Sequence, residues 1–282
     1  MTNRAAVLTR PGEIVLEERP LPEPGPREVL VEVTAVGVCG SDVHYYEHGR
    51  IGHHVVRAPL VLGHESAGRV AAVGDAVTKH AVGDRVTLEP GVPCGRCEQC
   101  RAGRYNLCPD VVFFATPPVD GAFTNHVVIH EDFAFALPDE LSDDVGALME
   151  PLSVGIWACR KAGVQAGDRV LVTGAGPIGL LAMQVALANG ATQVEVSDVN
   201  EHRLGLAERT GATRGVRAGE EAPSTADVLI ECSGHPAAIA LAASGRVDLE
   251  AIITGHFALD ETERALRAAL EDPRNVKSMV HP

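Results

Sequence analysis

The segment RVLVTGAGPIGLLAMQVALANGA, residues 169–191, decides the fold of one half of this 282-residue chain. It begins as a short buried β-strand and continues through a glycine-rich turn into an apolar helix. Gly174, Gly176 and Gly179 form the pattern G-x-G-x-x-G, which is specific when it lies in such a strand–turn–helix setting. The three glycines allow a tight turn, a close backbone approach and close helix–strand packing. The segment therefore predicts a Rossmann-type parallel sheet that binds a dinucleotide pyrophosphate at the helix N-terminus.

The next predicted strand, QVEVSD, ends at Asp198. An acidic residue at this place accepts hydrogen bonds from the ribose hydroxyls and repels a 2′-phosphate, so it favours NAD over NADP. Arg203 follows closely, and it either stacks on the adenine or stays solvated. Pro177 and Ile178, which lie inside the glycine motif, complete the predicted cofactor-binding set.

A cluster of four cysteines lies upstream, in the segment PCGRCEQCRAGRYNLC. Cys94, Cys97, Cys100 and Cys108 are spaced C-x2-C-x2-C-x7-C. Four thiolates on one loop can surround a tetrahedral zinc ion, with Zn–S distances of about 2.3 Å, and leave no place for a substrate. Disulfides are the alternative, but C-x2-C steps strain a bridge, and iron would also fit four thiolates. We therefore predict a structural zinc site.

A second set of possible metal ligands is scattered along the chain. Cys39 lies in GVCGSD, His64 and Glu65 in GHE, and Glu150 in MEP. One thiolate, one imidazole and carboxylates from separate loops describe an open site that keeps a position for water or substrate. Taken singly, Cys39 would be a small buried hydrophobe and His64 a loop histidine. Their combination with the dinucleotide motif favours a catalytic metal site.

Composition limits the class of protein. Hydrophobic residues make up 45% and charged residues 22% of the chain, as in ordinary globular proteins. The net charge of -14 comes without a basic stripe, which argues against partners such as nucleic acid or an anionic membrane surface. No run of about 20 apolar residues is present. Seven cysteines without an export signal predict thiols and metal ligands in a reducing cytoplasm.

The first half of the chain is predicted to be rich in β-strands, and the pattern changes near Pro151. EVLVEVTAVGV and SAGRVAAVGDAV are β-branched runs separated by glycine and proline. FATPPVDGAFTNHVVIH predicts a further strand pair around a Pro-Pro turn. SDDVGALMEPLSVGIWACRKAG has helical periodicity and predicts one helix, with Ser142 as its N-cap.

These motifs together resemble the zinc-dependent medium-chain dehydrogenases, and within them the sorbitol and xylitol (polyol) dehydrogenase branch. The resemblance covers nearly the whole chain and implies a β-rich GroES-like catalytic domain plus a Rossmann-type domain. It implies that Cys39, His64 and Glu65 hold a catalytic zinc, with Glu150 as a fourth or alternating ligand. The four-cysteine lobe would hold the structural zinc. NAD and a small polyol or alcohol would be the cofactor and the substrate.

Further roles in such a site follow from chemistry. Ser41 is placed to take the substrate's hydroxyl proton and His44 to pass it outward, whereas Asp42 would orient His64. The alternatives are that Ser41 and Asp42 cap the next helix and that His44 is a surface residue. The nearby aromatic residues would either wall the substrate site or fill the core: Tyr45, Phe113, Phe114.

The chain departs from the family in its nucleotide-binding half. Four strands are predicted where the family has six, so two strand–helix units of about 30 residues each are missing. We therefore assign residues 1–152 to the catalytic domain, with a zinc lobe at about 90–110. Residues 153–238 form a truncated NAD-binding domain and 239–282 a C-terminal return to the catalytic domain. The resemblance implies a homo-oligomer, but the junction at Ala237–Ile239 makes oligomerisation doubtful and predicts lower stability and weakened turnover.

Three functions remain open at this point. The first is NAD-dependent interconversion of a polyol and a ketose. The second is a zinc dehydrogenase acting on an amino-alcohol such as threonine. The third is a shortened, inactive relative that keeps zinc and NAD as a folded binding protein.

Overall fold

A computed structural model describes residues 2–220 and 223–233 and, as backbone only, the strands Ile253–Ala258 and Lys277–His281. The chain divides into two compact units, Met1–Ser153 and Val154–Pro282, which are described separately. In the described part of the chain, no helix has the length and apolar character needed to cross a membrane.

The first unit is built on antiparallel sheets, as the sequence predicts. The larger sheet has five strands in the order β11-β3-β7-β8-β12. Its strands are β3 (Glu28–Gly37), β7 (Glu65–Val73), β8 (Arg85–Leu88), β11 (His126–His130) and β12 (Ala134–Ala136). A three-stranded sheet has the order β2-β1-β6, with strands β1 (Thr2–Arg10), β2 (Glu13–Pro20) and β6 (Leu60–Val61). Alternating side chains of the larger sheet form its buried core, for example Val29, Val31, Val70, Val86 and Ile129.

Short elements connect these strands. Two small hairpin-like pairs are β4 (Arg50–Ile51) with β5 (His54–Val55), and β9 (Gly91–Val92) with β10 (Val112–Phe113). The helices are α1 (Gly40–His48), α2 (Glu98–Arg101) and α3 (Asp143–Ala147). The predicted strand pair around Pro117–Pro118 is wrong in its pairing. Strands β10 and β11 flank that turn, but β10 pairs with β9 and β11 pairs with β3.

The long helix predicted after residue 140 is two helices. Ser142 is the N-cap of α3, because its Oγ accepts a hydrogen bond from the backbone N–H of Val145 at 3.2 Å. A second helix, α4 (Met149–Ala162), begins after a break at Leu148. Pro151 explains the break, since it lacks an N–H and its ring would clash with the carbonyl of Ala147 in a continuous helix.

The second unit contains the predicted Rossmann-type sheet. Four parallel strands lie in the order β15-β14-β13-β16, namely β13 (Arg169–Thr173), β14 (Gln193–Asp198), β15 (Arg214–Arg217) and β16 (Val228–Glu231). Helices α5 (Pro177–Ala188) and α6 (Glu201–Arg209) follow β13 and β14. The strand order reverses at β13, and such a switch point is where open parallel sheets bind nucleotides beyond the carboxyl ends of their strands.

Within the described residues this sheet has four strands, two fewer than the six that the resemblance implies. The remaining described strands, β17 (Ile253–Ala258) and β18 (Lys277–His281), pair with each other in parallel. The junction at Ala237–Ile239 and most of the segment 239–282 lie outside the described residues. The predicted return of that segment to the catalytic domain therefore stays a prediction.

Candidate metal centres and dinucleotide site

The end of one strand pair brings together the three residues predicted to hold a catalytic metal. Gly37, the last residue of β3, lies opposite Glu65, the first residue of β7. Because the strands are antiparallel, the chain beyond Gly37 and the chain before Glu65 leave the sheet at the same end. Cys39 and His64 therefore become neighbours of Glu65. One ligand atom from each of the three residues lies within 4.8 Å of the others.

Asp42 fixes the backbone of both loops that carry these ligands. It is only 3% exposed. Its Oδ2 accepts from the N–H of Cys39 and its Oδ1 from the N–H of Gly63, both at 2.9 Å. The Oδ1 atom lies 3.8 Å from Nδ1 of His64, which is longer than a hydrogen bond. Asp42 thus caps helix α1 and also joins the two loops, while its predicted role of orienting His64 stays a prediction.

The ionisable groups of this cluster shift one another's pKa values because they are close together and partly buried. A hydrogen bond from His64 lowers the pKa of the Cys39 thiol against the opposing effect of burial. Burial acts to lower the pKa of His64, but Cys39 and Asp42 outweigh it and raise that pKa. Burial raises the pKa of Glu65 and of Glu150. A divalent cation would favour the charged forms of the thiol and both carboxyl groups.

Glu150 lies beside this set without belonging to its tight core. It is half-buried in the first turn of α4. The charge of His64 lowers its pKa and that of Glu65 raises it, although burial dominates. This position suits the predicted fourth or alternating ligand, since a carboxylate next to three ligands can approach or leave a shared ion.

The other predicted residues around the site separate into two groups. Ser41 lies close enough to Cys39 to lower the pKa of its thiol, and the ring of Phe113 lies 5.9 Å from that of His64. His44 is exposed, and its ring lies 5.8 Å from His48. Within the described residues no hydrogen bond links Ser41 to His44, so the predicted proton path stays a prediction.

Two of the three aromatic candidates fill the core of the first unit. Tyr45 is 5% exposed and packs with Leu8 and Leu60. Phe114 is 9% exposed and packs in the core of the five-stranded sheet. Phe113 alone of the three has a ring contact with a predicted metal ligand.

The four cysteines of the lobe surround a common point. Their sulfur atoms all lie within 4.8 Å of one another. Backbone N–H groups point at sulfur: that of Cys97 lies 3.4 Å from Cys94 Sγ, and that of Cys94 lies 3.3 Å from Cys108 Sγ. Hydrogen bonds from the backbone of Arg96 and Cys97 lower the pKa of Cys94 to about 6. All seven cysteines are free thiols, so the disulfide alternative does not apply in this structure.

The glycine-rich turn of the second unit has the geometry that its sequence predicts. Gly174 has φ +91°, and a Cβ there would lie 2.7 Å from the backbone nitrogen of Ser233. A Cβ at Gly179 would collide with the carbonyl oxygen of Gly174, so this glycine allows the helix to pack on the strand. At Gly176, the N-cap of α5, a Cβ would meet nothing within 4 Å, which leaves open space at the helix N-terminus. Pro177 is the first residue of that helix.

The acidic residue after β14 is tied to the same turn. Asp198 is 9% exposed, and its Oδ2 accepts from the N–H of Ala175 at 2.7 Å. Its Oδ1 accepts from the N–H of Asn200 at 2.8 Å. Ile178 is partly buried in the first turn of α5 and Arg203 is exposed on α6. The structure therefore brings Asp198 to the glycine turn, while the cofactor contact of Arg203 stays a prediction.

The donor sets fit zinc at both predicted metal sites. Tetrahedral zinc with bonds of about 2.0–2.3 Å places its ligand atoms roughly 3.3–3.8 Å apart. The sulfur atoms of Cys97 and Cys100 are 3.4 Å apart, and the two ligand sets are no wider than 4.8 Å. A mixed set of sulfur, imidazole nitrogen and carboxylate oxygen is typical of catalytic zinc, and a set of four sulfurs is typical of structural zinc.

Comparisons with known proteins agree with these two halves. The alcohol dehydrogenase GroES-like domain matches residues 25–139, and the zinc-binding dehydrogenase domain matches residues 177–247. Sorbitol dehydrogenase of Bacillus subtilis (strain 168) is 40% identical, covering 99% of this chain and 97% of that protein. Human sorbitol dehydrogenase is 47% identical over 84% of this chain and 70% of that protein.

Solved structures show the same architecture. L-Idonate 5-dehydrogenase of Escherichia coli has a TM-score of 0.80 at 25% identity, covering 99% of this chain and 98% of that chain. A zinc-binding dehydrogenase of Sinorhizobium meliloti bound to NADP has a TM-score of 0.77 at 29% identity, covering both chains completely. The alignment with the Bacillus protein is 342 residues long and exceeds this 282-residue chain by 60, which agrees with two missing strand–helix units.

Both domain matches, the sorbitol dehydrogenase relatives and the two ligand sets lead to one assignment: the chain belongs to the zinc-dependent medium-chain dehydrogenases, in their polyol dehydrogenase branch.

Proposed function

We propose that this protein oxidises a polyol related to sorbitol or xylitol to a ketose and passes the hydride to NAD. The observation that carries the proposal is the convergence of Cys39, His64 and Glu65 at the end of the β3–β7 pair. The curated relatives named sorbitol dehydrogenase and D-xylulose reductase support the choice of a polyol as substrate.

The metal supplies Lewis-acid polarisation of the substrate hydroxyl when it is bound. Cys39, His64 and Glu65 would hold it, and Glu150 would complete or exchange in this set. Asp42 keeps the two ligand loops in register through their backbone N–H groups. Ser41 lies beside the Cys39 sulfur, where its hydroxyl can accept the substrate proton.

The chain's own residues also support a choice of cofactor. The open space at Gly176 and the free N–H groups at the start of α5 suit a pyrophosphate. Asp198 lies at the end of β14, where its carboxylate would accept from ribose hydroxyls and repel a 2′-phosphate. We therefore propose NAD rather than NADP, with Arg203 as an adenine-side contact.

The test is a substrate panel read by NADH absorbance, combined with a zinc count per chain. Sorbitol and xylitol should be oxidised with NAD, L-threonine should not be, and each chain should hold two zinc ions. Turnover of threonine in preference to both polyols would contradict the proposed substrate class. A Cys39→Ala variant should retain one zinc and lose activity.

A second function is favoured by the 60-residue shortfall against the Bacillus relative. If the difference lies in the nucleotide-binding half, as the sequence predicts, the protein would bind zinc and NAD without efficient turnover. Two zinc ions per chain and measurable NAD binding, with no NADH formed from any polyol, would favour this function.

We place the protein in a reducing cytoplasm because all seven cysteines are free thiols. Oligomerisation, which the family implies, remains a prediction that sedimentation would test.

A further inference from the structure

Gly37 occupies an unusual place relative to the proposed catalytic metal site. It is the cross-strand partner of Glu65 and the last residue paired in the β3–β7 ladder. A Cβ built on Gly37 would collide with Oε2 of Glu65 and would lie 3.1 Å from its Cβ and 3.2 Å from its Cδ. The carboxylate of a predicted metal ligand therefore fills the volume that any other side chain at position 37 would occupy.

Backbone conformation does not explain the glycine. The φ angle of Gly37 lies outside the left-handed region, in contrast to Gly63, which has φ +89°. An alanine at position 37 would thus adopt the same backbone without conformational strain. The contact with Glu65 is the steric reason that remains.

Two β-bulges of opposite sense set this pairing. The first is in β7, where Ala72 pairs with Leu30 but Val70 pairs with Val31, so Ala71 is an extra residue. The second is in β3. Val33 pairs with Gly68, but Ala35 pairs with Ala67, so Thr34 is an extra residue in β3. The hydroxyl of Thr34 donates to the carbonyl oxygen of Ala67 at 3.3 Å. Without the bulge at Thr34, the shift that Ala71 introduces would persist and would place Val36 rather than Gly37 opposite Glu65. A branched side chain would then occupy the place of the carboxylate.

We propose that Gly37 is a positioning residue of the catalytic metal site. Its missing side chain gives the Glu65 carboxylate room to turn across the end of the sheet toward Cys39 and His64. The bulge at Thr34 compensates the bulge at Ala71 and so keeps this glycine, and not a valine, in that position. The inference rests on the proposed function, because it assumes that these three residues bind a metal.

The experiment is a double-mutant cycle on metal affinity, with Gly37→Ala and Glu65→Ala made singly and together. Zn²⁺ affinity of the Cys39 site is measured by competition with a chromophoric chelator, and Co²⁺ spectra separate this site from the four-sulfur site. Gly37→Ala should weaken the Cys39 site about 10–100-fold, the range found when a group that orients a ligand is lost. In the Glu65→Ala background it should change the affinity less than about threefold.

Gly40→Ala is the matched control, because a Cβ at Gly40 would meet nothing within 4 Å. It should leave metal affinity unchanged. If Gly37→Ala folds poorly, thermal unfolding provides a second measurement. The variant that carries both Gly37→Ala and Glu65→Ala should then have a higher melting temperature than Gly37→Ala alone, because the colliding carboxylate is gone.

Equal losses of affinity in both backgrounds would overturn the proposal, because Gly37 would then act through the strand ladder rather than through Glu65. Unchanged affinity in Gly37→Ala would overturn it as well. Failure of the proposed function would give a different result. The unmodified protein would bind metal at the Cys39 site and the double-mutant cycle would give the affinities expected above, yet the protein would oxidise no polyol.

Discussion

Replacing Asp42 by asparagine should selectively weaken the catalytic metal site. The wild-type carboxylate is buried and accepts one backbone N–H from each of the two ligand loops, at Cys39 and Gly63. The asparagine amide has nearly the same shape but only one accepting oxygen. One of the two N–H groups therefore loses its acceptor and faces an NH₂ group instead.

The size of the effect follows from these two bonds. A hydrogen bond to a charged acceptor contributes about 1.5–3 kcal/mol, and a buried donor without a partner costs about 1–3 kcal/mol. We therefore expect Asp42→Asn to lower the free energy of unfolding by about 2–3 kcal/mol. Because the two loops carry metal ligands, the affinity of the Cys39 site should fall about 10–100-fold.

The assay is the chelator competition on the purified protein, with thermal unfolding measured in parallel. Asp75→Asn is the matched control, because Asp75 is exposed and has no side-chain hydrogen bond within the described residues. The four-cysteine site serves as an internal control and should keep its zinc in both variants. If Asp42→Asn binds metal at the Cys39 site within about threefold of the wild type, the two bonds do not position the ligands and the reasoning fails.

Three further outcomes are expected. Cys100→Ala should lower the zinc count by one and the melting temperature, because three thiolates no longer close the structural site; an unchanged count by metal analysis would contradict this. Asp198→Ala should reduce the ratio of kcat/KM with NAD to that with NADP, since the repulsion of a 2′-phosphate is lost; an unchanged ratio would contradict the assignment. Glu131→Gln should destabilise the protein, because the fully buried carboxylate accepts from the N–H of Thr78 and pairs with Arg27 at 2.8 Å. These contacts lower the pKa of Glu131 to about 2, so its stabilisation is complete above about pH 4.5 and is lost as the pH falls toward 2. Melting curves of the wild type and Glu131→Gln should therefore converge on acidification, and a constant difference would contradict this account.

Local patterns in the sequence were enough to predict the four-cysteine set and the glycine turn, whereas the scattered set of Cys39, His64, Glu65 and Glu150 was predicted from its combination with the dinucleotide motif and from the family resemblance. Four cysteines within 15 residues are constrained by the chain itself to lie close together, so their spacing predicts the cluster. The glycine motif is equally local, because strand, turn and helix follow one another directly. The four parallel strands were also predicted from short local stretches of sequence, and each is found in the structure.

What the sequence did not reveal depends on contacts between distant segments. The carboxylate of Asp42 joins two loops 21 residues apart, and nothing near it in sequence indicates Gly63 as its partner. Glu131 bonds to Thr78, 53 residues away, and reads in the sequence as an ordinary surface acid. The break between α3 and α4 was missed because helical periodicity outweighed the effect of Pro151 on the preceding turn.

The register of β3 against β7 is the clearest case of information that appears only on folding. Both strands were predicted from their composition, yet a shift of one residue would exchange the faces of every side chain. The extra residues at Ala71 in β7 and Thr34 in β3 shift the register in opposite directions and together decide which side chain stands opposite Glu65. A pattern of alternating β-branched residues cannot reveal such a bulge, because either register buries a valine-rich face. The geometry of the metal site thus depends on two compensating irregularities in β3 and β7, which is why the ligands could be predicted and the register that positions Glu65 could not.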